Sequence, residues 1–169
     1  MLRSVSAALI FLIAGAVGCA GPPPSDPGGL AAAYAAAGRH DEAAREVEVA
    51  VRAHPRDPLL RQQAARIHEQ AGNLPRAIGH LEVAIELAPE DAEVWIQLGE
   101  LENRRENAAD AYLAFRRAVE LAPDDIRSVS GLALAADSLG FEEEASRAYA
   151  RWAELEREQH SNTPLPPER

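Results

Sequence analysis

Hydrophobic and polar positions divide the chain into three stretches. Residues 7–18 form one apolar run behind a single Arg3. Residues 21–29 hold four prolines among nine positions, which cannot enter a helix or sheet interior and read as a spacer. From residue 30 to residue 159 apolar side chains return at helical spacing. Val94, Trp95, Leu98 and Leu101 follow one helix face, a polar turn spans residues 103–108, and Ala111, Phe115, Ala118 and Val119 line a second helix. Pro123 closes that helix, because the residue before a proline avoids the α region.

The helix pair repeats every 34 residues. Pro55, Pro89 and Pro123 keep that period, as do Ala43, Ala77, Ala111 and Ala145, and also Ala50, Ala84 and Ala118. Gly38, Gly72 and Gly140 recur in register, with Glu106 as the odd member. Four columns at one period specify a repeat array, with units at 24–57, 58–91, 92–125 and 126–159. Glu90-Asp91 and Asp124-Asp125 stand where the next helix begins, placed to cap free N–H groups and to meet the positive end of the dipole. The alanine columns predict close helix approach, with Leu81, Trp95, Leu98 and Phe115 filling the space between. The expected fold is all-α, an α-solenoid of about four helix-turn-helix units.

Composition narrows the chemistry. The 169 residues include 35 alanines, one cysteine, no lysine and 17 arginines against 27 carboxylates, for a formal net charge of −10. A disulfide scaffold needs two cysteines. A P-loop or a Schiff base needs lysine. No window is basic, so nucleic acid is not an expected partner. The serines lie mostly in the first stretch and in loops, with no Gly-x-Ser-x-Gly elbow and no glycine-rich phosphate loop. The chain is therefore not expected to be an enzyme, and no cofactor is implied.

The only cysteine falls at the end of the apolar run. That run, behind Arg3, has the length of a secretory h-region and is too short to span a bilayer comfortably. Its end, Ala16-Val17-Gly18-Cys19, resembles a bacterial lipobox, with Ala16 where leucine is usual. The resemblance implies that residues 1–18 are a lipoprotein signal peptide and that Cys19 carries the lipid. Residues 19–29 then tether the folded part, about 25–30 Å long at about 3.1 Å per residue. Ala20, where Asp is absent, favours outer-membrane sorting by the same resemblance. The expected location is the cell envelope, lipid-anchored at the periplasmic face of the outer membrane. Residues 160–169, with Pro164, Pro166 and Pro167, read as a disordered tail.

The 34-residue units resemble the tetratricopeptide repeat family, whose pattern asks for a bulky residue, Leu and Gly in the first helix, then a small residue, an aromatic, Ala and Pro. Unit three supplies Trp95, Leu98, Gly99, Ala111, Phe115, Ala118 and Pro123, and departs where Glu102 replaces an expected Tyr. Unit two has Ala64, Ala65, Ala77, Leu81, Ala84 and Pro89, with Arg61 in place of the bulky start. Unit four has Val129, Leu132, Ala133, Gly140, Ala145 and Tyr149, but Trp152 stands in a small-residue column. Unit one has Leu30, Ala31, Tyr34, Gly38, Ala43, Val47, Ala50 and Pro55, its opening overlapping the tether.

That resemblance implies a concave groove, lined by each first helix, that takes extended peptides or partner segments. Fitted position by position, it places Gln62, Arg66, Glu69 and Gln70 on the groove in unit two. Ile96, Glu100, Asn103 and Arg104 follow in unit three, then Ser130, Leu134 and Asp137 in unit four. Arg66 and Arg104 have the geometry to clamp a carboxylate. The alternative for Arg104 is a pair with Glu100 four residues earlier on the same helix. A basic, asparagine-rich chaperone clamp is missing, with Gly28 and Ala32 in the matching columns of unit one. At the far end Trp152 either caps the stack or joins Tyr149 and Leu155 in a partner patch.

The remaining candidates read as surface chemistry. His40, His54, His68, His80 and His160 include no pair four apart on a helix, the spacing a helical metal site wants, so no metal is expected. His68 and His80 lie in different helices of one unit, within range of each other, but are read as surface histidines. Glu142-Glu143-Glu144 reads as a solvated helix start. The functional expectation is a membrane-anchored scaffold or assembly factor of the envelope, of the pilus, secretin or outer-membrane type. It is expected to hold another envelope protein or a peptide segment with basic residues. The alternative is a non-catalytic subunit of an envelope enzyme complex, such as one handling cell wall.

Overall fold

The computed structural model describes residues 28–161, and within them it is all-α. The signal run, Cys19 and most of the tether lie outside the described residues. Eight helices follow in order: α1 (Gly29–Ala36), α2 (His40–Ala53), α3 (Pro58–Gln70), α4 (Leu74–Leu87), α5 (Ala92–Arg104), α6 (Ala108–Leu121), α7 (Ile126–Ser138) and α8 (Glu142–Ser161). Each packs on its neighbours in sequence, so the four helix pairs stack one on the next as the 34-residue period requires. Among the described residues no helix is long and apolar enough to cross a membrane. Helix α8 runs on through Ser161, so the expected tail is helical where it begins.

The acidic pairs before α5 and α7 divide their labour, and a single Asp57 precedes α3. Asp57, Asp91 and Asp125 are N-caps, their carboxylates accepting from the backbone N–H groups of Leu59 and Leu60, of Glu93, and of Arg127 and Ser128. Each such cap contributes about 1 kcal/mol. Glu90 and Asp124 are free to reach elsewhere and bind Arg117 and Arg151 of the following second helix. At the far end of the second helices, Ala88 and Ala122 leave the helical region before Pro89 and Pro123.

First helices α1, α3 and α7 end on glycines with positive φ, whereas α5 turns through Glu106 at φ 61°. A side chain in the left-handed region costs about 1 kcal/mol or more. Glu106→Gly is therefore expected to stabilise the chain by about 1 kcal/mol, read as a higher urea midpoint with an unchanged slope. An unchanged or lower midpoint would show that the carboxylate compensates for the strain.

Ala43, Ala77 and Ala111 of the small-residue column are fully buried, and Ala145 nearly so. Around them the core forms three clusters that join units one and two, two and three, and three and four. Phe115 is the largest side chain in it, at 2% exposure. Its ring lies between Gly99 of α5 and Gly131 of α7; a Cβ at either glycine would stand 2.8 or 2.4 Å from it. The glycines of these first helices are thus space for a ring, not flexibility. Trp95 is half-buried and donates its indole N–H to the Pro89 carbonyl at 2.9 Å.

At the C-terminal end Leu155 is buried rather than displayed, because α8 lays that side against α7. Tyr149 and Trp152 are half-buried, their rings 6.2 Å apart. The three residues therefore do not form one exposed patch. Glu142 and Glu143 are exposed at the start of α8, and Glu144 accepts a hydrogen bond from the Tyr112 hydroxyl at 2.8 Å.

Candidate functional site

The face made by the first helices α1, α3, α5 and α7 carries the expected groove residues, and the structure sorts them into three kinds. Two belong to the interior. Ile96 is 1% exposed and packs in the core with Phe115, and Gln62 is buried with its amide donating to Asp91 at 2.8 Å. These two side chains, which share one column, point between units rather than outward.

Others are taken up in ties between units. Glu69 pairs with Arg104 of the next first helix. Glu100 does not pair with Arg104; it accepts two hydrogen bonds from Arg127, at 2.9 and 3.1 Å, while a third N–H of Arg127 reaches Glu93 at 2.9 Å. Burial alone would lower the pKa of that guanidinium, but the hydrogen bonds to Glu100 and Glu93 outweigh it and hold it above its ordinary value. Residues 27 to 35 apart meet across the stack, and this beats the four-residue spacing within a helix. Exposed pairs of this kind contribute about 0–1 kcal/mol each, so their effect is to fix register more than to stabilise. Arg104 is thus no free clamp residue.

The rest face outward. Arg66, Gln70, Leu134 and Asp137 are exposed, and Asn103 and Ser130 half-buried. Ser130 bonds back to the Arg127 carbonyl, and Asp137 accepts from Tyr149 at 3.5 Å. Arg66 has no ion-pair or hydrogen-bond partner among the described residues. It overhangs a cleft of about 270 Å³ between α1 and α3, floored by Ala32, Ala35, Ala36 and Ile67 and edged by Gln63 and Gln70. It also borders a second cleft with Leu59, Leu60 and Gln62. The small alanines of α1 open this space, and an unpaired guanidinium over an apolar floor suits a carboxylate-bearing segment.

The histidines depart most from expectation. His68 and His80 are 2% and 8% exposed, not surface residues. Their rings stack at 5.2 Å between centroids and 15° between planes. Both Nε2 atoms lie on one carboxylate oxygen of Glu48 in α2, at 3.0 and 3.3 Å. Arg76 approaches the same oxygen at 3.6 Å, and Arg61 donates towards His80 Nδ1 at 3.4 Å. For Glu48, burial alone would raise the carboxyl pKa, but the hydrogen bonds from His68 and His80 win and lower it. His80 is lowered, chiefly by burial, which the hydrogen bond it donates to Glu48 only partly offsets.

A sequence signal for this cluster exists in the repeat columns. His68 shares its column with Tyr34, Glu102 and Ala136; His80 shares its column with Glu46, Ala114 and Ala148. Ala114, Ala136 and Ala148 are buried, so both histidine columns point inward. Glu102 in the His68 column is likewise buried, held by Asn107 and Arg105.

Comparison with known proteins agrees with the fold. Residues 59–101 match the tetratricopeptide repeat family model. Among solved structures, the chain is similar to a crystal structure of MamA at 20% identity and TM-score 0.72, covering 78% of this chain and 77% of that one. It is also similar to MamA 41-end from Desulfovibrio magneticus RS-1, at 22% identity and TM-score 0.71, covering 79% and 77%. A MamA RS-1 double mutant matches at 21% identity and TM-score 0.73, covering 80% and 76%. At these identities the likeness is one of fold. No curated protein sequence matches the chain.

Proposed function

Because the chain is a tetratricopeptide-repeat protein, and such solenoids are protein–protein interaction scaffolds, we propose that it holds a partner segment along its first-helix face while a lipid on Cys19 ties it to the bacterial cell envelope. The observation that carries the reading is Arg66, without an ion-pair partner among the described residues, over the open α1–α3 cleft, on a face where Glu69 and Arg104, and Glu100 and Arg127, are engaged with one another. Charge gives the partner a polarity. Arg66 calls for a carboxylate at the unit-two end. Units three and four are the more acidic, with eight carboxylates against four arginines in 92–125 and seven against four in 126–159, and suit basic residues. Association should weaken as salt rises. The chain is read as a non-catalytic scaffold or assembly factor of an envelope complex.

Affinity isolation from a membrane extract tests the binding. The wild-type chain is expected to recover one envelope protein that the Arg66→Glu chain does not; equal recovery by both would overturn the face. The anchor is tested separately. Labelled palmitate fed to cells should mark the wild-type chain and not Cys19→Ser, since only a thiol can carry the thioether lipid. Persistent label in the variant would remove Cys19 from the account.

A further inference from the structure

We propose that Glu48, His68 and His80 form a transition-metal site of the zinc class that joins unit one to unit two. The three donor atoms, Glu48 Oε1 and the two Nε2 atoms, all lie within 4.8 Å of one another and come from three helices, α2, α3 and α4. Ligands of a tetrahedral zinc ion at about 2.0–2.2 Å stand about 3.3 Å apart. The Glu48–His68 and Glu48–His80 separations of 3.0 and 3.3 Å already match. Two imidazoles and a carboxylate select zinc, cobalt or nickel over magnesium and calcium, which want oxygen donors throughout. Both histidines are held by the core, so the donors are positioned before the ion arrives. Glu48 remains 25% exposed and opens on a cleft lined by Ala44, Val49 and Arg76, which supplies an entry path and room for a water as fourth ligand.

Ligation rearranges the protons of the cluster. In the metal-free form Nε2 of each ring donates to the Glu48 carboxylate. Ligation through Nε2 needs that nitrogen free of its proton, with N–H on Nδ1 instead. His68 Nδ1 is buried with no hydrogen-bond partner among the described residues, so the shift leaves a buried N–H there, a cost that the metal–nitrogen bond must outweigh. His80 Nδ1 faces the Arg61 guanidinium, which must turn aside and keeps its bond to the Pro55 carbonyl at 3.1 Å. Arg76 competes with the ion for Glu48 and is largely exposed, so it can swing into solvent.

Arg76 makes the site distinguishable from a purely structural cluster. If the cluster only packs, Arg76→Gln removes a favourable contact and nothing else. If it holds a metal, Arg76→Gln removes a competing cation and tightens binding.

The test uses the purified full chain, treated with chelator and titrated with Co²⁺, then with Zn²⁺ as competitor. One Co²⁺ per chain with the visible bands of a tetrahedral site is expected, displaced by Zn²⁺, and Zn²⁺ should raise the thermal midpoint. Glu48→Gln and His68→Gln should each weaken binding at least about tenfold, Arg76→Gln should strengthen it severalfold, and His160→Gln should leave it unchanged. Should the buried His68→Gln chain fail to fold, Glu48→Gln and Arg76→Gln still decide the matter, since both positions reach solvent. Absence of the cobalt bands in the folded wild-type chain would overturn the site. So would unchanged affinity in Glu48→Gln, or weaker binding in Arg76→Gln.

Discussion

Phe115→Ala is expected to destabilise the solenoid by about 3–5 kcal/mol, the range for deleting a fully buried aromatic side chain. Stability of the whole domain is on the order of 5–15 kcal/mol, so the loss is a large share of it. The argument rests on what surrounds the ring. Gly99 and Gly131 present backbone on either side of it, and a Cβ at each would already collide with it. Ala111, Ala118 and Ala133 add only methyl groups to the same cluster. Ile96 and Leu132 of the same cluster are fixed on their own helices and fill the vacated space only in part, so a cavity remains and most of its cost is felt. Phe115 joins units three and four, and stability in a repeat array is passed between neighbours. The C-terminal pair α7–α8 should therefore lose most of its protection against hydrogen exchange. A urea series gives the magnitude through the shift in midpoint, and a loss under about 1 kcal/mol would mean that the helices close over the gap.

Arg66→Glu is expected to leave the fold intact and to weaken partner binding by about 10- to 100-fold. An exposed side chain without partners contributes little to stability, so the thermal midpoint should change by no more than about 0.5 kcal/mol's worth. Binding is different. A guanidinium over an apolar floor of Ala32, Ala35 and Ile67 is partly shielded from water, and a carboxylate bonded to it there is worth about 1.5–3 kcal/mol. Reversing the charge also adds repulsion, which takes the effect to tenfold or beyond. An isotherm measured at low and moderate salt with the isolated partner reads the change. A weaker wild-type affinity at higher salt alongside an Arg66→Glu affinity that hardly moves would identify the lost contact as electrostatic.

The period of 34 residues made the helices, the alanine columns and the closing prolines legible, because each is set by one column repeated down the stack. The caps at Asp91 and Asp125 were legible for the same reason. Contacts between columns were not. Arg127 sits near Glu93 and Glu100 only once unit four is stacked on unit three, and that proximity displaces the local Glu100–Arg104 pair. Ile96 and Gln62 belong to a column that a generic groove pattern turns outward, while here Ile96 completes the Phe115 cluster and Gln62 reaches Asp91 across the next junction. The histidines were misplaced through a different omission. Their spacing of 12 residues is uninformative on a single helix, but their columns contain Ala114, Ala136 and Ala148, and a polar residue in an inward column must find a buried partner. Glu48 is that partner, and nothing in the spacing of α2 singles it out from Glu42 or Glu46.

Site-specific photocrosslinking in cells tests the binding face most directly. A photoreactive residue is placed at position 66, at position 134 two units further along the same column, and at position 157 on the exposed side of α8. Positions 66 and 134 should capture the same envelope protein, and position 157 should not. Equal capture at all three positions, or capture at 157 alone, would contradict the assignment of the first-helix face.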